Sequence, residues 1–130
     1  MPKVIINNGD TFGTARADLN SMFSELYGGA LNINAQTGTA YTLVLTDVGK
    51  QIDMNNAAAN VLTVPKNSDV AIPVGTIVPV CQIGVGATTI AFDVAITQQI
   101  PANVSLTIST RYQKAYLEKV ATDTWRAYVG

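Results

Sequence analysis

The sequence predicts a mainly β protein: an antiparallel β-sandwich (jelly-roll-like) or barrel, preceded by an extended N-terminal arm and one short amphipathic α-helix. Three observations lead there. From Leu31 onward, short apolar or alternating runs recur between clusters of Gly, Pro, Asn and Asp, the spacing of strands and turns in a sandwich or barrel. Ahead of Leu31, a single stretch has helical periodicity instead. At 130 residues the chain supports one core, large enough to fold without a metal or disulfide.

The elements follow in order. Val4-Ile5-Ile6 is β-prone and closes at the turn formers Asn7-Asn8-Gly9-Asp10, which gives the arm. Thr14 suits an N-cap, because its hydroxyl can accept from an unpaired backbone N–H one turn on. Ala15, Leu19, Met22, Phe23 and Leu26 then form one apolar stripe, with Arg16, Asn20, Ser21, Ser24 and Glu25 on the other side. Gly28-Gly29 ends the helix by allowing a left-handed backbone at its C-terminus. A helix of about four turns is too short to be stable alone in water. Its stripe is therefore expected to bury against the β-domain, a neighbouring subunit or a docking partner. The organisation predicted is an arm and assembly helix at 1–29 and a β-domain at 30–130.

Within the β-domain, strands are expected at Tyr41–Thr46, Gln51–Met54, Asn60–Val64, Thr76–Ile83, Thr88–Phe92, Val94–Thr97 and Ser105–Ser109. Gly84-Val85-Gly86 reads as a hairpin turn, and no linker, charge block or convincing repeat divides the region. The last hairpin pairs Arg111–Ala121 with Thr124–Val129 around Thr122-Asp123. That register sets Val120 opposite Trp125 and Tyr116 opposite Val129 on a core face, with Glu118 at its rim. Lys119 then faces Arg126 on the reverse, a mildly destabilising like-charge pair.

Composition narrows the function. Charged residues are 13%, against about 25% in an ordinary soluble domain, and the formal net charge is −1. A surface so poor in charge suits burial against copies of itself or a larger assembly. Basic residues are scattered singly, so no stripe to track phosphates is present and neither nucleic acid nor an anionic membrane is expected as a partner. The uncharged stretch Val70–Phe92 is broken by Pro73, Pro79, Gly75, Gly84 and Gly86 and reads as buried strands, not a membrane span.

Catalytic parts are missing. The chain has no histidine and no Gly-x-Ser-x-Gly elbow. Asp47, Asp53, Asp69, Asp93, Glu118 and Asp123 are explained by turn and rim positions. No calcium-loop spacing occurs, and the glycine pair at 84 and 86 lacks the third glycine and helix of a nucleotide site. No enzyme, metal or cofactor is expected. Cys81, the only cysteine, lies in an apolar run and is expected to be a buried inert thiol. The aromatics Tyr112, Tyr116, Trp125 and Tyr128 gather near the C-terminus, where they can form hairpin core or a glycan-binding face.

At the helix the sequence becomes specific. Thr14-Ala15-Arg16, Leu19-Asn20, Phe23 and Glu25-Leu26-Tyr27, following Gly9-Asp10-Thr11, resemble a segment at the front of tailed-bacteriophage virion proteins. The β-region resembles a module of phage fibre and other virion proteins. Its pieces are Tyr41-Thr42-Leu43, Asp47-x-Gly49-Lys50, Asn55 to Asn60, Thr63-Val64-Pro65, Pro73-x-Gly75-Thr76, Gln82-x-Gly84 and Ala121 to Trp125. Asp18 stands where the pattern often has Lys, and Met22 where it often has Asn; Met22 widens the apolar stripe and favours burial on more than one side. Fibre proteins with this front segment usually continue into long shafts or tips, so a chain of 130 residues is expected to be a small accessory virion protein.

The resemblance implies a structural protein, assembled in the host cytoplasm and carried in the virion. It would dock as a homo-oligomer on the major capsid protein or another virion component, as a cement protein or short head fibre. A homotrimer is the usual state among such proteins, with a dimer as the alternative. Val4, Ile5, Ile6, Leu19, Met22, Phe23, Leu26 and Tyr27 would carry assembly, the arm by adding a strand to a partner's sheet edge. The alternative is a tail fibre or receptor-binding module using Tyr112, Tyr116, Trp125 and Tyr128.

Overall fold

A computed structural model of the chain describes residues 31–130. The arm Val4–Ile6, the helix expected over 14–28 and its residues Leu19, Met22, Phe23, Leu26 and Tyr27 lie outside the described residues. What is described is mainly β. Ten strands run in order: β1 (Asn32–Gln36), β2 (Ala40–Thr42), β3 (Lys50–Met54), β4 (Asn60–Val64), β5 (Ile77–Gln82), β6 (Thr88–Phe92), β7 (Thr97–Gln99), β8 (Thr107–Ile108), β9 (Lys114–Ala121) and β10 (Thr124–Val129).

The strands form two mixed sheets, not antiparallel ones, and no closed barrel forms among the described residues. One sheet has the order β1-β3-β5-β9-β10-β7, the other β2-β4-β6-β8. Odd and even strands thus alternate between sheets through the first six, and the pairs β1/β3, β3/β5, β2/β4 and β4/β6 are all parallel. The chain winds three times, laying one strand in each sheet per coil and stacking each coil on the one before. Gly84-Val85-Gly86 is accordingly the corner between sheets in the third coil, not a hairpin turn. Antiparallel strands then close the stack, β9 on β5 and β8 on β6.

The corners explain how the coils stay in register. Met54 pairs with Gln82 and Asn60 with Thr88, so the second and third corners have equal length and lie one on the other. The Gly84 and Gly86 N–H groups donate to the Met54 carbonyl at 3.2 Å and the Asn56 carbonyl at 2.9 Å. A Cβ on Gly86 would overlap the Ala58 carbonyl, and one on Gly84 would lie 2.7 Å from the Asn56 carbonyl carbon. Glycine is needed there for close approach of two backbones. Asn56 Nδ2 continues the ladder to the first coil through the Thr37 carbonyl at 2.7 Å. Inside the corner, the Thr88 hydroxyl donates to Asn60 Oδ1 at 2.6 Å, which makes burial of both polar groups tolerable.

One hydrophobic cluster takes side chains from both sheets: Ile52, Met54, Val78, Val80, Leu117 and Trp125 from the larger, Leu62, Val64, Ile90 and Ile108 from the smaller. Phe92 of β6 meets Trp125 of β10 with ring centroids 6.5 Å apart. The strand expected through Thr46 stops at Thr42, because Asp47 takes the Val44 N–H at 2.9 Å and draws Leu45–Asp47 into a 3-10 turn. Val94–Ile96 forms a turn and β7 starts only at Thr97.

The last hairpin corrects the expected register by one residue. Thr124 pairs with Ala121, but Trp125 pairs with Lys119, leaving Val120 as the extra residue of a β-bulge. Every residue of β9 before the bulge changes face. Ala115, Leu117 and Lys119 enter the core, while Tyr116 and Glu118 turn outward. The like-charge opposition disappears: Arg126 now faces Glu118, with their charged atoms 4.0 Å apart.

Candidate interaction surface

Three surfaces of the β-unit differ in the groups they present. The first is the end of the coil stack. Among the described residues, β1 and β2 each have a strand on one side only. A sheet edge of that kind offers backbone N–H and C=O groups to a further strand. Leu31, Ile33, Val44, Leu45 and Val48 are exposed on this first coil and its exit turn. The exit turn is anchored from within. Asp47, buried at 1% exposure, accepts from the Tyr41 hydroxyl at 2.7 Å and from Asn34 Nδ2 at 2.8 Å. Burial, then the bond to Asp47, pushes the Tyr41 phenol up to about 12. These three side chains form a locked polar brace between β1, β2 and the turn, with its carboxylate fully engaged.

The second surface is the outer face of the smaller sheet. Register sets Ala40, Val61, Thr89 and Thr107 in one row across it and Thr42, Thr63 and Ala91 in the next. Neither row contains a formal charge. Thr89 and Thr107 hydroxyls meet at 3.1 Å. Small β-branched residues at parallel-strand spacing make this face even and neutral.

The third is the outer face of the larger sheet. Pro79, Tyr116 and Tyr128 stand side by side on β5, β9 and β10, and both tyrosines are exposed. Ile77, Glu118, Arg126 and Gln99 form the adjoining row. On the other side, Lys114 reaches across β5 to Gln51 Oε1 at 2.9 Å, over a row holding Asp53 and Cys81. Cys81 is buried at 4% exposure, as its apolar run predicts, and burial followed by the Asp53 charge pushes its thiol up.

The four aromatics expected together near the C-terminus are divided. Trp125 is buried at 1% exposure and belongs to the core. Tyr116, expected in the core, stands outward beside Tyr128 because of the bulge. Tyr112 is apart from that pair, in the turn before β9 with φ of 70°, a conformation uncommon for a bulky residue. Its N–H donates to the Gln82 carbonyl at 2.6 Å, and the Arg111 guanidinium sits 5.0 Å from its ring centroid. Sequence reasoning missed the polar brace at Asp47. Tyr41 and Asp47, six positions apart on either side of a short apolar run, were its available signal.

Among the described residues, no group of three or more His, Cys, Asp or Glu side chains is placed to hold a metal, and no helix is long and apolar enough to cross a membrane. No protein-family model matches the chain, and no curated protein matches it.

Proposed function

We propose that this chain is a non-enzymatic structural virion protein of a tailed bacteriophage, docking as an oligomer on the capsid to decorate or stabilise it as a cement protein or short head fibre. The observation that carries this reading is the ordered run Thr14-Ala15-Arg16, Leu19-Asn20, Phe23 and Glu25-Leu26-Tyr27, which resembles the front segment of such proteins. The β-unit supports it. Pieces that resemble the virion module fall at structural corners: Tyr41 and Asp47 in the polar brace, Gln82-x-Gly84 against Asn56, and Ala121 to Trp125 at the bulged hairpin. Such residues shape a scaffold.

In this reading the two sheets form a sandwich around their shared core, and residues 1–29 are the arm and assembly helix expected from the sequence. The segment at 1–29 supplies attachment and oligomerisation, a trimer in preference to a dimer. The neutral threonine face lets neighbouring copies or capsomers approach without desolvating charge, which is the costly part of burying a polar surface. Particles assembled with the full chain and with a form lacking residues 1–28 test the proposal. The full chain incorporates; the shortened form folds, as read from Trp125 fluorescence, and stays free. Incorporation of the shortened form at full occupancy would refute the attachment role.

A second reading, a tail fibre or receptor-binding module, is favoured by one observation: the exposed Tyr116 and Tyr128 beside Pro79 make a small aromatic platform of the kind that stacks on sugars. Tyr116→Ala with Tyr128→Ala would then weaken adsorption to host cells or a glycan-array signal. Trp125→Ala is unsuited to that test, because Trp125 is core.

A further inference from the structure

Lys119 is an ammonium-bearing side chain in a hydrophobic core. It is 1% exposed, paired with Trp125 on the inner side of β9. Lysine is seldom placed so deep without a task or a full set of partners. Its Nζ donates to Asn67 Oδ1 at 2.6 Å and to the Ile72 carbonyl at 2.7 Å, both in the loop between β4 and β5. Neither partner carries charge. Asn67 is itself held, since its backbone N–H donates to Asp123 Oδ1 at 2.8 Å from the tip of the last hairpin.

The contact therefore brings together an amine, a primary carboxamide and a carboxylate. Burial draws the Lys119 ammonium down, opposed by the Asp123 charge, in the direction of the neutral amine that is the nucleophilic form. The hydrogen bond holds Nζ 2.6 Å from Oδ1, the oxygen attached to the carboxamide carbon. Asp123, bound to the Asn67 backbone N–H and acting on Lys119 through its charge, is the carboxylate beside this contact that could carry the proton between the two nitrogens.

We propose that Lys119 and Asn67 join in an intramolecular isopeptide bond, with Asp123 relaying the proton. Neutral Nζ attacks Asn67 Cγ, forming a C–N bond as the carbonyl electron pair moves to Oδ1. Asp123 takes a proton from Nζ and returns one to Nδ2. The carbonyl re-forms, the Cγ–Nδ2 bond breaks, and ammonia leaves with that electron pair. The product is a secondary amide whose remaining N–H can still donate to the Ile72 carbonyl. No oxidant or reductant takes part. The link would tie the β4–β5 loop to β9 across 52 positions of sequence and remove a buried charge from the core. This proposal stands independently of the virion reading.

The test is the mass of the intact wild-type chain, purified and denatured, with processing of Met1 read from its own peptide. The expected mass is lower than that of the sequence by one ammonia. Trypsin should fail to cleave after Lys119, and peptide 67–111 should remain joined to peptide 115–126. Lys119→Arg and Asn67→Ala should each restore the full mass. Asp123→Asn should give the unlinked chain first, converting slowly or not at all. A folded wild-type chain that keeps its full sequence mass after prolonged incubation at mildly alkaline pH, and is cleaved normally at Lys119, overturns the proposal. The wild-type measurement decides even if a variant fails to fold.

Discussion

Replacing Gly86 by alanine probes the stacking of the coils directly. Gly86 does not have a left-handed backbone, so the substitution adds volume without conformational strain of its own. The added methyl would overlap the carbonyl of Ala58 and lie 2.8 Å from the Asn56 oxygen. These are backbone atoms of the coil beneath, and no side chain can rotate out of the way. The corner must lift instead. Lifting breaks the 2.9 Å bond from the Gly86 N–H to Asn56 and strains the Asn60–Ala87 bond beside it. A net hydrogen bond is worth about 1 kcal/mol, and forcing a methyl into packed structure costs about 1–3 kcal/mol. The expected loss is about 2–4 kcal/mol, or roughly 10–25 °C in Tm for a unit of this size. Urea titration followed by the fluorescence of Trp125, the sole tryptophan, reads it. Gly38→Ala is the control, because its Cβ would come no nearer than 3.8 Å to the Ala40 oxygen. Stability of Gly86→Ala within about 0.5 kcal/mol of the parent, the range of an ordinary surface change, would refute the stacked-corner account.

Three further outcomes are expected. Tyr41 has its phenol raised from 10.0 to about 12, so the protonated form is favoured in the folded chain. Its stabilisation is complete below pH 10 and is lost as pH rises toward 12; roughly 2–3 kcal/mol should disappear across that window, and Tyr41→Phe should remove that part of the pH dependence in urea titrations. Cys81 should resist thiol reagents in the folded chain and react fully once it is unfolded, whereas rapid labelling of folded protein would show that the row above β5 opens. The Arg126–Glu118 pair is long and partly exposed, so a double-mutant cycle should give less than about 0.5 kcal/mol; a larger coupling would mean the pair fixes the hairpin register energetically.

The strands themselves were legible where alternation met a turn former. Asn60–Val64 ends at Pro65 and Gln51–Met54 at Asn55; the structure keeps the first and starts the second one residue earlier, at Lys50. Their partners were not legible. A parallel coil leaves the same local pattern as an antiparallel meander, because both alternate with period two. The repeat was hidden as well. Asn32 stands 18 positions before its partner Lys50, Ala40 stands 21 before Val61, and Met54 stands 28 before Gln82, so no single period runs through the chain. The Tyr41–Asp47 brace was missed because a lone aspartate in a turn signals capping and says nothing of a distant hydroxyl. Of the site residues expected from sequence, Tyr116 and Tyr128 lie together on an outer face, Tyr112 stands alone in a turn, and Trp125 is core.

One residue, Val120, decides much of this surface. Without the bulge, β9 would put Tyr116 and Glu118 against the core and Lys119 opposite Arg126. That arrangement carries two penalties, a carboxylate at the edge of an apolar cluster and a like-charge pair. The bulge removes both, at the cost of one ladder position and a buried lysine. Burying Lys119 is tolerable only because the β4–β5 loop brings Asn67 and the Ile72 carbonyl to its head, and that loop is held from the other side by Asp123 in the same hairpin. The exposed tyrosine pair and the lysine–asparagine contact are therefore two consequences of a single register choice. A variant that deletes Val120 should keep both: Ala121 still pairs with Thr124 and Lys119 with Trp125, so the ladder becomes regular with Tyr116 outward and Lys119 inward, and Lys119 should stay shielded from an amine reagent in the folded chain.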